Sequence, residues 1–161
     1  FREANSYLDK LDYISAYIHF YMILEYCFAE GKFSAEQKKN FRKSDMLKYA
    51  VLSTINMIKE QNYNLYLKIQ QICTDKHKEL NFDSLIDIIY CYRGELSHAT
   101  KRAVYEENQE LVKPITLFIS FVCFSVCGNM KVYCKKFVPE ETRKHRVNEH
   151  IKRLELQLGL K

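Results

Sequence analysis

Two prolines and four glycines punctuate 161 residues. Multi-stranded sheets need more turn residues than that, so an all-β sandwich or barrel is excluded, as is a collagen-like or linker chain. No Gly-rich phosphate loop and no Gly-x-Ser-x-Gly occurs, which leaves P-loop nucleotide hydrolysis and serine-hydrolase chemistry unsupported. No Cys-x2-Cys pair occurs either. Cys73 with His77, and Cys123 with Cys127, stand at i, i+4 and could each supply half a zinc site. Their apolar setting favours buried thiols instead. There is no internal repeat, low-complexity tract or domain linker. The longest apolar run, from Pro114 to Cys127, is about 14 residues, short for a bilayer span of ~20. No secretory signal precedes the scattered cysteines, so the expectation is a reducing, cytoplasmic setting without a membrane. No cofactor is expected.

What the chain does have is a folded protein's composition: 47% hydrophobic and 28% charged residues, suited to one domain. Lys and Arg number 25 against 20 Asp and Glu, a net charge of +5. That bias permits an anionic partner without demanding one.

Helical spacing dominates. A first helix is expected from about Asn5 or Ser6 to Glu30, stopped by Gly31. It carries an aliphatic set at Leu11, Ile14, Ile18, Met22, Leu24 and Phe28 and a second stripe at Tyr13, Tyr17 and Tyr21. Two apolar faces imply more than one neighbour, either within the chain or in a second subunit. Ser34-Ala35-Glu36-Gln37 has the form of a capping box. Ser44 reads as the next N-cap, ahead of Leu47, Val51, Ile55 and Ile58. Asn62 and Asn64 interrupt before a helix over Leu65 to Lys78. Asn81 or Asp83 then opens another that holds Leu85, Ile86, Ile88, Ile89 and Tyr92. A polar stretch, Arg93 to Asn108, leads into a long apolar helix from about Gln109 to Lys136. Pro139 followed by two glutamates starts a last helix, striped by Val147, Ile151, Leu154 and Leu158. The expected architecture is all-α: one antiparallel helical bundle of about five to seven helices over residues 1–161.

The chemistry concentrates where the apolar helices break: Tyr92-Arg93-Gly94-Glu95-Leu96-Ser97-His98-Ala99-Thr100-Lys101-Arg102. Arg is permanently charged, and its planar fork matches phosphate oxygens bidentately. His titrates near neutral pH and can take or give a proton. Together they suit cleavage of a phosphodiester with a neighbouring 2′-hydroxyl, which makes RNA the natural substrate. Lys101 and Arg102 would add phosphate attraction, and Tyr92 could stack on a base. Ser97 could bond the phosphate or orient His98. Glu95 could position Arg93 or His98, and Glu25 could hold Arg93. In an unbroken helix, residues five apart differ by about 140° in direction. Convergence of Arg93 and His98 therefore predicts a break or tightening around Gly94 to Ser97, or two motif copies meeting across a twofold axis. The alternative reading is that the pair only bonds the last carbonyls of a helix.

Arg93, four intervening residues and His98 resemble the Arg-x4-6-His signature of the HEPN (higher eukaryotes and prokaryotes nucleotide-binding) superfamily. Tyr90, Arg93, Gly94 and His98 also fit the run Tyr-x-x-Arg-Gly-Lys-x-x-His-Gly of branches such as the ApeA-like one. Glu95 replaces the basic residue there, and Ala99 the trailing Gly. Tyr21-Met22-Ile23-Leu24-Glu25-Tyr26 is similar to the family's early helix with its acidic residue. The resemblance implies a HEPN-like bundle and a metal-independent endoribonuclease with its site at a homodimer interface. It would leave a 2′,3′-cyclic phosphate, in a toxin or antiviral defence effector controlled by an antitoxin or a fused regulatory domain. The alternative it implies is a non-catalytic module that binds nucleotide, RNA or a protein partner. A second spacing match, Arg143 with His150, lies on one face of the last helix and reads as surface. So does the basic stretch from Arg143 to Arg153, which could otherwise track an RNA backbone.

Overall fold

A computed structural model describes residues 1–29, 35–97 and 102–128, with backbone only for residues 35, 97 and 102–108. These residues form seven helices packed against each other, and no strand occurs among them. They are α1 (Arg2–Asp9), α2 (Tyr13–Phe28), α3 (Ala35–Lys43), α4 (Asp45–Gln61), α5 (Tyr63–Asp75), α6 (Phe82–Ser97) and α7 (Arg102–Gly128).

The polar residues that interrupt the apolar pattern act as caps. The Ser44 hydroxyl accepts from the Leu47 N–H at 3.2 Å and starts α4. Asn62 accepts from the Leu65 N–H and starts α5. Asn81, rather than Asp83, accepts from the Ser84 N–H at 2.9 Å and opens α6. Each oxygen satisfies an N–H that its helix cannot pair internally.

The single long first helix does not form. The chain turns between α1 and α2, where Leu11 adopts φ 59°. The Leu11 N–H donates to the Leu8 carbonyl and the Asp12 N–H to the Tyr7 carbonyl, both at 2.9 Å. This closes α1 as a glycine normally would. Asp12 then caps α2 by accepting from the Ser15 N–H at 3.0 Å.

Helix α2 is the centre of the bundle. Tyr17, Phe20, Tyr21 and Leu24 are fully buried on it, so the tyrosine stripe belongs to the intrachain core. Met22 and Tyr26, on the opposite side, are exposed. Helix α7 packs along α2 in the same direction. Gln109 and Thr116 meet the Tyr13 backbone, and Cys123 meets the Phe20 carbonyl. Val112, Ile115, Phe118, Ile119, Val122 and Val126 bury one face of α7, against a core completed by Phe41, Leu47, Val51, Ile58, Ile69, Leu85 and Ile86. By length and composition alone, Gln109–Gly128 is apolar enough to cross a membrane. The helical span exceeds the apolar run because the helix continues on the N-terminal side of Pro114.

The junction after α6 also departs from expectation. Helix α6 continues without a break through Gly94 to Ser97, and α7 begins at Arg102 rather than near Gln109. The polar stretch is therefore mostly helix. Gly31, Ser34, His98 to Lys101, Cys134, the helix expected from Pro139 and the basic stretch from Arg143 lie outside the described residues.

Candidate functional site

Arg93 lies in the last turn and a half of α6, half-buried at the edge of the core. Its guanidinium carbon stands 5.8 Å from the centre of the Tyr21 ring. That is within cation–π range, an attraction of ~0.5–2 kcal/mol that grows as water is excluded. Tyr21 is itself fixed. Its hydroxyl donates to Gln37 Oε1 at 3.2 Å, and Gln37 Nε2 donates to Glu25 Oε1 at 2.6 Å. Gln37 and Tyr21 are buried, so this chain from α3 to α2 has little freedom. Burial pushes the Tyr21 hydroxyl well above the ordinary phenol range; the nearby Glu25 charge adds to this and Arg93 opposes it. Burial does the same to Tyr17, whose hydroxyl donates to the Ile89 carbonyl and whose ring lies 6.2 Å from that of Tyr92. Both phenols therefore stay neutral and act as seats and spacers.

The other expected site residues divide clearly. Glu25 reaches the Arg93 neighbourhood through Gln37 and Tyr21. Glu95 faces Lys76, whose Nζ lies 3.1 Å from its Oε1, and it accepts from the Cys91 thiol at 3.3 Å. On a helix, positions 93 and 95 point about 200° apart, so the structure does not bring Glu95 against Arg93. Tyr92 is half-buried, with its ring under Lys76 at 5.7 Å. Ser97 ends α6 and Arg102 starts α7, which places both backbones at the α6–α7 junction. His98 and Lys101, between them in sequence, lie outside the described residues.

Two arrangements were missed from sequence. The first is a clamp from α7 onto the start of α2. Gln109 Oε1 accepts from the N–H groups of Tyr13 and Ile14 at 2.7 and 3.3 Å, and Gln109 Nε2 donates to Asp12 Oδ1 at 3.3 Å. No local spacing signals a cap supplied from 96 residues away. The second is a charge cluster on the outer face of α6. Asp87 receives Lys38 at 2.5 Å, Arg42 at 2.6 Å and Lys78 at 3.0 Å. Partial burial would raise its pKa, but the bonds from Lys38 and Lys78 and the Arg42 charge outweigh this and lower it. A signal was available here: one carboxylate among Ile86, Ile88 and Ile89 needs cationic partners.

No group of three metal-ligating side chains occurs among the described residues. Burial raises the thiol pKa values of Cys27, Cys73, Cys91, Cys123 and Cys127, so none is poised as a thiolate nucleophile. Comparison with known families, curated proteins and solved structures finds no match to this chain.

Proposed function

We propose that the chain is a metal-independent endoribonuclease in which Arg93 and His98 act on one phosphodiester. The observation that supports it most is the seat of Arg93. A guanidinium is held on a buried tyrosine face, itself anchored through Gln37 to Glu25, at the helix end that leads directly into His98. A fixed fork is what phosphate recognition needs, because its ordering cost is met during folding. His98 would take the proton of the ribose 2′-hydroxyl or give one to the leaving 5′ oxygen. The 2′ oxygen bonds to phosphorus as the bond to the 5′ oxygen breaks, leaving a 2′,3′-cyclic phosphate and a 5′-hydroxyl.

Helix α6 is regular through Ser97. This favours the arrangement in which two copies of the motif face each other, since the helix has no break between Arg93 and Ser97. The reading therefore includes a homodimer, RNA as the partner, and a toxin or defence role under an antitoxin or fused regulatory domain. It includes a cytoplasmic setting and no membrane.

The experiment is RNA cleavage in excess EDTA by the parent, Arg93→Ala and His98→Ala. Each variant should lose cutting by 100-fold or more, on the order expected for removing a general acid–base or a charged phosphate donor. Helix content and dimer mass should stay unchanged. A mixture of the two variants should recover part of the activity if each site draws on both subunits. Cleavage by both single variants at the parent's rate rejects the assignment.

A further inference from the structure

A cleft of about 480 Å³ opens between α3, the α5–α6 turn and α6, lined by neither Arg93 nor Tyr21. Its lining carries three ammonium groups, Lys38, Lys76 and Lys78, against one carboxylate, Asp87. We propose that this cleft binds a compact phosphoanion, of the kind carried by a nucleoside triphosphate or by the 5′ end of an RNA.

Three features carry the proposal. The first is that the cations are held in place before any ligand arrives. Lys38 and Lys78 share Asp87 as a spacer, and Arg42 braces the same carboxylate from outside the cleft. Each ammonium has three N–H donors and gives Asp87 one bond, so donors remain for phosphate oxygens. Glu95 pairs with Lys76, and the single Asp87 carboxylate faces Lys38, Lys78 and Arg42 together, so a positive excess remains around the cleft. Lys38 further lies over the Tyr90 ring at 5.7 Å and Lys76 over that of Tyr92, which restricts both stems.

The second feature is the backbone that presents Lys76 and Lys78. His77 sits at φ 54°, a left-handed conformation that a side chain adopts at a cost of ~1–2 kcal/mol. The His77 N–H donates to the Thr74 carbonyl and the Lys78 N–H to the Cys73 carbonyl. This closure of α5 turns the chain so that residues on both sides of His77 line one cleft.

The third is Gly94. It lies inside α6, where glycine costs ~1 kcal/mol relative to alanine. A Cβ built there meets nothing within 4 Å, so packing does not require glycine at this position. It lines the cleft beside Tyr90, one turn earlier on the same face, and a side chain there would enter open space. The volume falls within the roughly 300–1,000 Å³ of small-ligand sites.

The test is calorimetric titration of the whole chain with inorganic tripolyphosphate at low and high salt. One saturable site per chain is expected, weakening as salt rises. Lys38→Gln and Lys78→Gln should each weaken it about tenfold, as befits loss of a charge-assisted bond, while Lys38→Arg and Lys78→Arg retain most of it. Gly94→Leu should block binding with helix content unchanged, because the added side chain enters open space. ATP and a 5′-triphosphorylated oligoribonucleotide then serve as competitors. Displacement by either supports the assignment and identifies the source of the phosphate. Absence of binding, binding untouched by the Lys→Gln and Gly94→Leu changes, or displacement by neither competitor overturns it. The readout is binding alone, so loss of RNA cleavage in Arg93 or His98 variants leaves it unmoved.

Discussion

Replacing Gln109 by alanine should destabilise the bundle by about 2 kcal/mol. The magnitude follows from the hydrogen bonds removed. Gln109 Oε1 serves the N–H groups of Tyr13 and Ile14 at the start of α2, at 2.7 and 3.3 Å. Both contacts are part-buried, so water replaces the lost acceptor imperfectly. Removing a helix cap costs ~0.5–2 kcal/mol, and leaving a buried donor unmet costs ~1–3 kcal/mol. The retained bond from the Ser15 N–H to Asp12 keeps the loss toward the middle of that range. For a chain of this size the melting temperature should fall by about 4–8 °C. The assay is urea denaturation followed by far-ultraviolet circular dichroism. The midpoint should drop while the slope stays constant, which marks lost stability rather than a changed unfolded state. Gln109→Glu should fall between parent and alanine. It keeps an acceptor and adds negative charge at a helix N-terminus, but it faces the Asp12 carboxylate instead of donating to it. A loss below ~0.5 kcal/mol for Gln109→Ala would refute the claim that α7 caps α2.

Two further predictions concern the turn before α2 and the charge cluster on α6. Leu11 is 66% exposed at φ 59°, so Leu11→Gly should give up little burial and relieve the left-handed conformation. A net gain of up to ~1 kcal/mol, read as a higher melting temperature, is expected; a lower one contradicts the strain argument. Asp87 has a folded-state pKa below its unfolded value of about 3.9. Its contribution is therefore complete above that pH and is lost as pH falls through the folded value. Stability measured from neutral pH downward should show a shallower acid limb in Asp87→Asn than in the parent, and parallel limbs would contradict the pairing.

The starts of α4 and α6 were legible, because Ser44 and Asn81 act locally and the next three residues contain the bonded N–H, whereas α5 starts at Tyr63, before the expected Leu65, with Asn62 as its cap. The turn at Leu11 was not legible. Its left-handed residue has a side chain where the pattern leads one to expect glycine, and the apolar periodicity runs on through it. The α6–α7 junction was misplaced for a related reason. Polarity from Arg93 to Asn108 reads as loop, yet good helix formers such as Arg102, Ala103, Glu106 and Glu107 need no continuous apolar face. Arg93 stands out in the sequence by its spacing to His98. Its seat was not, because Tyr21 and Gln37 come from other helices and only the tertiary fold brings them together. Glu95 illustrates the same limit: its nearness in sequence to Arg93 says nothing about direction, and the helix turns it to Lys76.

The most direct test of the whole account is end-group analysis of RNA incubated in EDTA with the purified parent and, in parallel, with His98→Ala. The account predicts fragments with 2′,3′-cyclic phosphate and 5′-hydroxyl ends from the parent and intact RNA from the variant. Intact RNA from both, equal cutting by both, or fragments ending in 5′-phosphate would contradict it.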